Sequence, residues 1–172
     1  MKKTLIIALC SLAVLFVACT KPEPDPEPVD YTPNYVGNYI GQFSLTITSM
    51  NNQPQTGLGF PLEGIGMDIT KGEEANAIIA SVTVESETHY TNGTATAEKA
   101  DFETVYLVID ETHQIMNPYI FNLGLLMEGT KASSDTLLIT GTFTGDGTFT
   151  FNGVENNLTE VSGTLTGKLA KQ

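Results

Sequence analysis

Three residues at alternate positions have the clearest potential for metal binding or acid–base chemistry. Glu85, Glu87 and His89 would lie on one face of a continuous strand. Two carboxylates and an imidazole on one face could ligate a divalent metal ion or transfer a proton. The same face holds Ser81 and Thr83 further upstream. A row of short polar side chains is typical of a strand face in contact with solvent, and we favour this interpretation.

The second histidine lies in a different setting. His113 follows Asp110 and Glu111 and precedes Asn117-Pro118, a composition that indicates a loop. Neither histidine has the flanking residues of a known catalytic motif. The acidic segments also lack the alternating oxygen ligands of a calcium-binding loop. We therefore expect no catalytic residue, no metal site and no cofactor, and a protein that is not an enzyme.

Cys19 is the residue whose surroundings point to a covalent modification. It follows a basic start, an apolar run from Leu5 to Val17 and the small residue Ala18, which is the order of a secretory signal. The run is shorter than the roughly 20 apolar residues that a membrane-spanning helix needs. Ala18-Cys19 resembles the lipobox of bacterial lipoproteins, in which the cysteine thiol receives a diacylglyceryl group before cleavage.

The lipobox resemblance implies where the protein is found. A signal peptide would occupy residues 1–18, and the lipid on Cys19 would anchor the chain in the outer membrane, on its cell-surface or periplasmic face. A plain secretory signal, which would leave Cys19 as a free thiol, is the alternative. Cys10 would leave with the signal peptide, so neither a disulfide nor thiol chemistry is expected under the lipoprotein interpretation.

Charge excludes one class of partner. The formal net charge is −12, and all eight basic residues are lysines. Nucleic-acid binding needs several lysine or arginine contacts with phosphates, so we expect no nucleic-acid partner. No arginine is present to supply the planar fork that holds carboxylates and phosphates at two points.

Residues 19–34 have the composition of a tether. Five prolines between Pro22 and Pro33 are interspersed with acidic residues. Such a segment favours the extended polyproline conformation, at about 3.1 Å per residue, and would hold a domain roughly 40 Å from a membrane. The remaining residues, 35–172, have the length of a single domain.

Hydrophobic residues recur with period two along most of that domain. Phe43, Leu45 and Ile47 alternate with polar residues, as expected for a half-buried strand. Glycines inside several such runs are typical of positions where a sheet bends. Gly145-Asp146-Gly147 indicates a tight hairpin turn into the strand 148–151. The pattern predicts an all-β fold, an antiparallel up-and-down β-barrel of about eight to ten strands, with a two-sheet β-sandwich as the alternative.

Three features resemble the calycin-like, lipocalin-like β-barrel lipoproteins of the Bacteroidales. They are the strand Tyr39-Ile40-Gly41-Gln42-Phe43, the Gly-Thr-x-Thr-Gly strands at 141–145 and 163–167, and the lipidated, proline-rich start. The Gly-x-Trp of the lipocalin first strand is absent, and Gly37-Asn38-Tyr39 stands in its place. The resemblance implies a lipid-anchored barrel and assigns no biochemistry.

Nine apolar residues could line the interior of the predicted barrel: Phe43, Ile47, Met67, Phe121, Leu123, Phe143, Phe149, Phe151 and Leu165. In a narrow barrel such side chains form a packed core, whereas a wider barrel leaves a ligand cavity. A ligand in that cavity would be apolar or uncharged, because no arginine or interior lysine is expected to pair with an anion.

A short motif suggests a second modification. Asp135-Thr136-Leu137 resembles the acceptor pattern of O-glycosylation in the Bacteroidales, which would make Thr136 the modified residue.

These features predict a non-enzymatic, lipid-anchored envelope protein that binds a small apolar ligand or a partner protein. The alternative is a structural or adhesive surface module, such as a fimbrial subunit or an accessory subunit of an outer-membrane complex.

Overall fold

The computed structural model describes residues 27–110 and 118–172. The predicted signal peptide, Cys19, His113 and the first part of the tether lie outside the described residues. Within them, a short 3₁₀ turn precedes nine β-strands. The turn is Thr32–Asn34, and the strands are β1 (Gly37–Met50), β2 (Gln53–Lys71), β3 (Ala77–Val84), β4 (Glu87–Ala95), β5 (Ala100–Phe102), β6 (Val105–Asp110), β7 (Tyr119–Ser133), β8 (Thr136–Phe151) and β9 (Val154–Lys171). No helix in these two ranges is both long and apolar enough to cross a bilayer.

The nine strands of the described residues form one antiparallel sheet. Their order is β5-β4-β3-β2-β1-β9-β8-β7-β6, and β5 also pairs with β7, so the sheet closes into a ring. β5 and β6 follow one another along the same edge of β7, because Ala100 pairs with Gly129 and Val105 with Leu125. The predicted all-β antiparallel class and strand number are thereby confirmed, with barrel-like closure through β5.

The ring is unpaired along one seam, between the first half of β4 and β6. β4 pairs with β5 from Gly93 to Ala95, and the backbone N–H of Glu103 donates to the Asn92 carbonyl at 2.8 Å. Next to this bond the buried Thr91 hydroxyl donates to the Glu103 carbonyl, also at 2.8 Å. This contact satisfies a backbone acceptor where the ladder ends. In the described part of the chain, no β4–β6 pairing continues beyond it.

Inward-facing side chains fill the middle of the ring. In β1, Phe43, Leu45 and Ile47 are buried, whereas Ser44 and Thr46 between them are exposed. The same alternation is found in β3, β6 and β7, as the period-two pattern predicted. Removal of these apolar surfaces from water is the main driving force for closing the sheet.

Two phenyl rings of the core pack over glycines on a neighbouring strand. Phe143 of β8 is directly opposite Gly163 of β9, and Phe43 of β1 is opposite Gly167. A Cβ at Gly163 would lie 2.4 Å from Cζ of Phe143, and a Cβ at Gly167 would lie 2.5 Å from Cδ1 of Phe43. Both glycines are therefore required by close packing between strands.

The prediction of a tight turn at Gly145-Asp146-Gly147 is wrong. β8 runs through these residues as far as Phe151. The hairpin to β9 turns instead at Asn152-Gly153, where both residues have positive φ, as a type I′ turn requires. A Cβ at Gly145 would lie 1.9 Å from the carbonyl oxygen of Asn122 on β7. Glycine at this position permits a close approach of two strands. The local sequence cannot show whether a glycine serves such a contact or a turn.

The strand register shows which residues lie at each of the two ends of the ring. At the tether end the chain reaches β1 at Gly37, and β9 finishes at Lys171 beside Tyr39. At the far end lie the β1–β2 and β8–β9 hairpin turns. There the backbone N–H of Asn51 donates to the Thr159 carbonyl at 2.7 Å, which joins the first hairpin to β9. β1 spans the distance between the two ends.

An ion pair holds the chain at the tether end before β1 begins. The Asp30 carboxylate accepts hydrogen bonds from Lys71 Nζ on β2 and from the backbone N–H and hydroxyl of Thr32. These bonds, above all the one from Lys71, lower the pKa of Asp30 to about 2. The backbone N–H of Tyr31 donates to the Asn76 side-chain oxygen at 2.7 Å, so contacts with the ring begin within the predicted tether.

We expect acid to weaken this attachment in a defined range of pH. Because the pKa of Asp30 is lower in the folded chain, its contribution to stability is complete above about pH 4 and is lost as the pH falls through about 2. The free energy of unfolding of Asp30→Asn should therefore fall less over this range than that of the wild type. Urea unfolding at several pH values measures the difference.

The control for this prediction is Asp68→Asn, which removes an exposed carboxylate of β2 that forms no salt bridge within the described residues. This variant should keep the wild-type dependence on pH. Identical acid dependence of Asp30→Asn and the wild type would contradict the role given to the ion pair.

Substitution of Gly163 tests the packing of phenyl rings over glycine. Gly163→Ala should destabilise the protein by about 1–3 kcal/mol, because the new Cβ would displace the Phe143 ring and approach the Thr46 carbonyl oxygen to 2.1 Å. Gly66→Ala on β2 is the matched control, since its Cβ would meet Thr83 at an ordinary 3.6 Å. We expect the control to remain within about 1 kcal/mol of the wild type. Urea denaturation that gives both variants the same stability would refute the packing role.

Candidate functional site

An apolar cavity of about 350 Å³, the far-end pocket, lies at the far end of the ring. Five strands contribute its lining, and none of the lining side chains is charged. The lining residues are Ile47 and Met50 of β1, Leu58, Gly59 and Phe60 of β2, Tyr119 and Phe121 of β7, Phe149 and Phe151 of β8, and Leu158 of β9. Small-molecule sites occupy about 300–1,000 Å³ and are mostly apolar, so the pocket lies within that range.

Three aromatic rings form one wall of the far-end pocket. Phe60 stacks on Phe121 with ring centroids 5.7 Å apart and planes 5° from parallel. Tyr119 is tilted by 46° to both, with its centroid 5.7 Å from Phe60 and 5.2 Å from Phe121. Phe60 is on β2 and the other two rings are on β7, so the contacts join strands that are not neighbours in the sheet. The wall is therefore built by the protein itself, in ring geometries that aromatic side chains favour.

The pairing of β7 with β8 brings two aromatic positions of the pocket together. Phe121 is opposite Gly147, and Tyr119 is opposite Phe149. A Cβ at Gly147 would lie 2.7 Å from Cδ1 of Phe121, so glycine leaves the room that the Phe121 ring occupies. Because side chains two positions apart point to the same face of a strand, this register gathers the rings into one patch.

The pocket has a buried base and a partly exposed rim. Ile47 and Leu158 are almost fully buried, whereas Leu58 is 41% and Phe151 55% exposed. An uncharged molecule that entered would remove apolar surface from water on both sides of the contact. A charged molecule would lose its hydration without gaining an ionic partner from the lining.

The nine residues predicted as possible ligand contacts divide into two sets. Ile47, Phe121, Phe149 and Phe151 line the far-end pocket. The other five are core residues with almost no exposed surface and do not line it: Phe43, Met67, Leu123, Phe143 and Leu165. The interior of the ring is thus filled by side chains around its middle, whereas a cavity remains at its far end.

Five further side chains line the pocket without having been predicted from the sequence: Met50, Leu58, Phe60, Tyr119 and Leu158. Two of them lie in the first half of β2, from Gln53 to Ile65, which contains two prolines and three glycines and has the composition of a loop. β2 pairs with β3 only from Gly66 to Lys71. Its first half is therefore an edge of the described sheet, where proline is tolerated. The alternation of Leu58 and Phe60 with glycines is the feature of the sequence that indicates a strand here.

The structure does not bring the three residues Glu85, Glu87 and His89 together as a site. Glu85 lies in the turn between β3 and β4 with φ 57°, which interrupts the period of two. Glu87 and His89 are on β4, with 3.8 Å between Oε2 and Nε2, and the Glu87 side chain is 72% exposed. Across residues 27–110 and 118–172, no group of three or more His, Cys, Asp or Glu side chains converges on a point where a metal could bind.

Thr136, the predicted O-glycosylation site, lies at the tether end. It is the first residue of β8 and is partly exposed. The preceding carbonyl, of Asp135, accepts a hydrogen bond from the backbone N–H of Lys171 at 2.8 Å, so the turn that carries Thr136 is fixed to the end of β9.

Comparison of the chain with protein-family models gives no match, and comparison with curated proteins gives no significant match.

Proposed function

We propose that this protein is a non-enzymatic lipoprotein of the bacterial cell envelope, anchored in the outer membrane through Cys19, that binds a small apolar or uncharged ligand. The observation that carries the binding role is the far-end pocket, which has five aromatic side chains and no charged side chain in its lining. Such a lining selects molecules that gain from leaving water and need no ionic partner.

The size and lining of the pocket suit a ligand built around one aromatic or aliphatic ring. Burial of roughly 150–250 Å² of ring surface at about 25 cal/mol per Å² gives about 4–6 kcal/mol. Because association also costs translational and rotational entropy, a dissociation constant of about 0.05 mM is the tightest that this burial alone would give. Contacts with the stacked wall of Phe60, Phe121 and Tyr119 would add to it.

The positions of the tether and the pocket support a function at a membrane surface. The described chain reaches the ring at the tether end, where Asp30 pairs with Lys71. An extended segment between Cys19 and Asp30 would be about 35 Å long. With the lipid at its start, the mouth of the far-end pocket would open away from the bilayer, towards ligands in the aqueous phase.

Unpaired strand edges favour a second candidate function, the binding of a partner protein by a structural or adhesive module. The first half of β2 and the seam between β4 and β6 offer backbone edges to which an extended segment of another protein could add a strand. Pro54, Pro61 and Glu63 on the β2 edge oppose such pairing. Ligand binding is therefore our first proposal.

Indole, an uncharged aromatic molecule that dissolves in water, is a suitable probe of the far-end pocket. We expect isothermal titration calorimetry of the purified full-length protein in neutral detergent to give saturable binding. Phe60→Ala removes the ring that stacks on Phe121 and should weaken binding about tenfold. Tyr106→Ala, which removes a side chain 74% exposed on the outer face, should bind like the wild type.

Partitioning of indole into detergent is the same for both variants and cancels in the comparison. Thermal unfolding of each variant establishes that it is folded. The binding role would be lost if the wild type showed no saturable binding, or if the Phe60 and Tyr106 variants had equal affinity.

The anchor is tested by growth of producing cells with labelled palmitate. The wild type should incorporate the label, because the Cys19 thiol is the acceptor in the lipobox chemistry that the motif resembles. Cys19→Ala should carry no label and keep the signal peptide. A wild-type protein without label, released into the medium, would rule out the anchor while leaving the indole result intact.

A further inference from the structure

A second pocket, at the tether end of the ring, has the opposite chemistry to the far-end pocket. This tether-end pocket has a volume of about 400 Å³, and its lining includes two lysines, a tyrosine and three other polar residues: Lys131, Lys171, Tyr35, Asn34, Ser133 and Ser134. Lys131 belongs to β7 and Lys171 ends β9, so the fold brings together two cations from separate strands.

Both ammonium groups are held in place by neutral groups. Lys131 Nζ donates to the Tyr39 hydroxyl and to the Ser134 carbonyl, each at 3.0 Å, and Lys171 Nζ donates to the Val36 carbonyl at 2.9 Å. The two Nζ atoms also lie 5.1 and 5.9 Å from the centroid of the Tyr39 ring, within the range of cation–π contacts. An ammonium group has three N–H donors. Each lysine therefore keeps at least one donor that no described residue uses.

Neither lysine forms a salt bridge within the part of the chain that the structure describes. Lys99 provides the contrast, because it pairs with Asp101 and Glu128, each at 2.8 Å, and these bonds raise its pKa. Lys131 and Lys171 instead bring two positive charges to the Tyr39 ring, and neither pairs with a carboxylate of the described residues. Their mutual repulsion would be relieved by an anion bound between them.

Tyr35 supplies a further donor to the tether-end pocket. It is 1% exposed and lines the pocket. Burial, followed by the negative charges of Asp101 and Glu98, raises the pKa of this hydroxyl, which keeps it protonated. Gly37 leaves space for the Lys171 side chain, since a Cβ at that position would lie 2.4 Å from Cε of the lysine. The cationic site is thus preformed by the fold.

We infer that the tether-end pocket binds a phosphate-bearing anion between Lys131 and Lys171, with Tyr35 as an additional hydrogen-bond donor. Lysine binds phosphate as a point charge, and two ammonium groups at one ring suit a phosphate group, which carries more negative charge than a single carboxylate. The phosphate is either free in solution or part of a phospholipid headgroup.

Two water-soluble probes distinguish these sources. Inorganic phosphate represents the free anion, and glycerophosphoglycerol represents the headgroup of phosphatidylglycerol without its acyl chains. Each is titrated calorimetrically into the purified full-length protein at low ionic strength, where interactions between charges are screened least. Saturable binding of at least one probe is expected.

Charge-removing and charge-keeping variants identify the site. Lys131→Met and Lys171→Met should each weaken binding by about tenfold or more, because a charged hydrogen bond is lost. Lys131→Arg and Lys171→Arg keep the charge and should retain binding. Lys168→Met is the matched control, since it removes an exposed lysine of β9 that does not line the pocket, and its affinity should equal that of the wild type.

Tyr35→Phe should cause a smaller loss than either methionine variant. Lys171 is exposed, so its methionine variant remains informative even if Lys131→Met fails to fold. Binding of inorganic phosphate alone supports a free phosphate ligand, and binding of the headgroup probe alone supports a membrane phospholipid. The inference would be overturned if neither probe bound the wild type, or if Lys168→Met and Lys171→Met had the same effect.

Discussion

The packing of phenyl rings over glycines on neighbouring strands is the constraint on which the rest of the structure depends. Three such pairs recur around the ring, in each of which the Cβ that glycine lacks would overlap the ring atoms of a phenylalanine: Phe43 with Gly167, Phe143 with Gly163, and Phe121 with Gly147. Large rings fill a core efficiently only if the facing position is small. The pairs therefore fix strand register as well as volume, because a shift by one residue would place a side chain where each ring lies.

The third of these pairs links the core to the candidate site. Gly147 leaves space for Phe121, and Phe121 in turn stacks on Phe60 from a strand elsewhere in the sheet. The packing of a phenyl ring over a glycine thus occurs both in the core and in the wall of the far-end pocket. Phe143 and Phe43 lie at the middle of the ring and fill its interior, whereas Phe121 lies nearer the far end and lines the cavity.

The two ends of the ring differ in chemical character. The far end offers aromatic surface without charge, whereas the tether end holds Lys131 and Lys171 beside Tyr39 and the ion pair of Asp30 with Lys71. Separation of apolar and charged groups to opposite ends avoids burial of charge in the apolar pocket.

Sequence reasoning was most successful where structure is set by local alternation. Phe43, Leu45 and Ile47 point inwards because successive side chains of any extended chain point to opposite faces. It failed at Gly145-Asp146-Gly147, because glycine has the same local signature in a turn and at a close contact between strands. Only the neighbouring strand distinguishes these cases.

The sequence by itself determined the motif at Cys19, the acidic, proline-rich composition of residues 19–34 and the all-β class, since each is a property of composition or of residues close together in the chain. Only the tertiary structure decided that Ile47 and Phe121 line a pocket while Phe143 fills the core, and that two distant lysines meet at one tyrosine. These outcomes depend on the register between strands that are far apart in sequence, which no local pattern encodes.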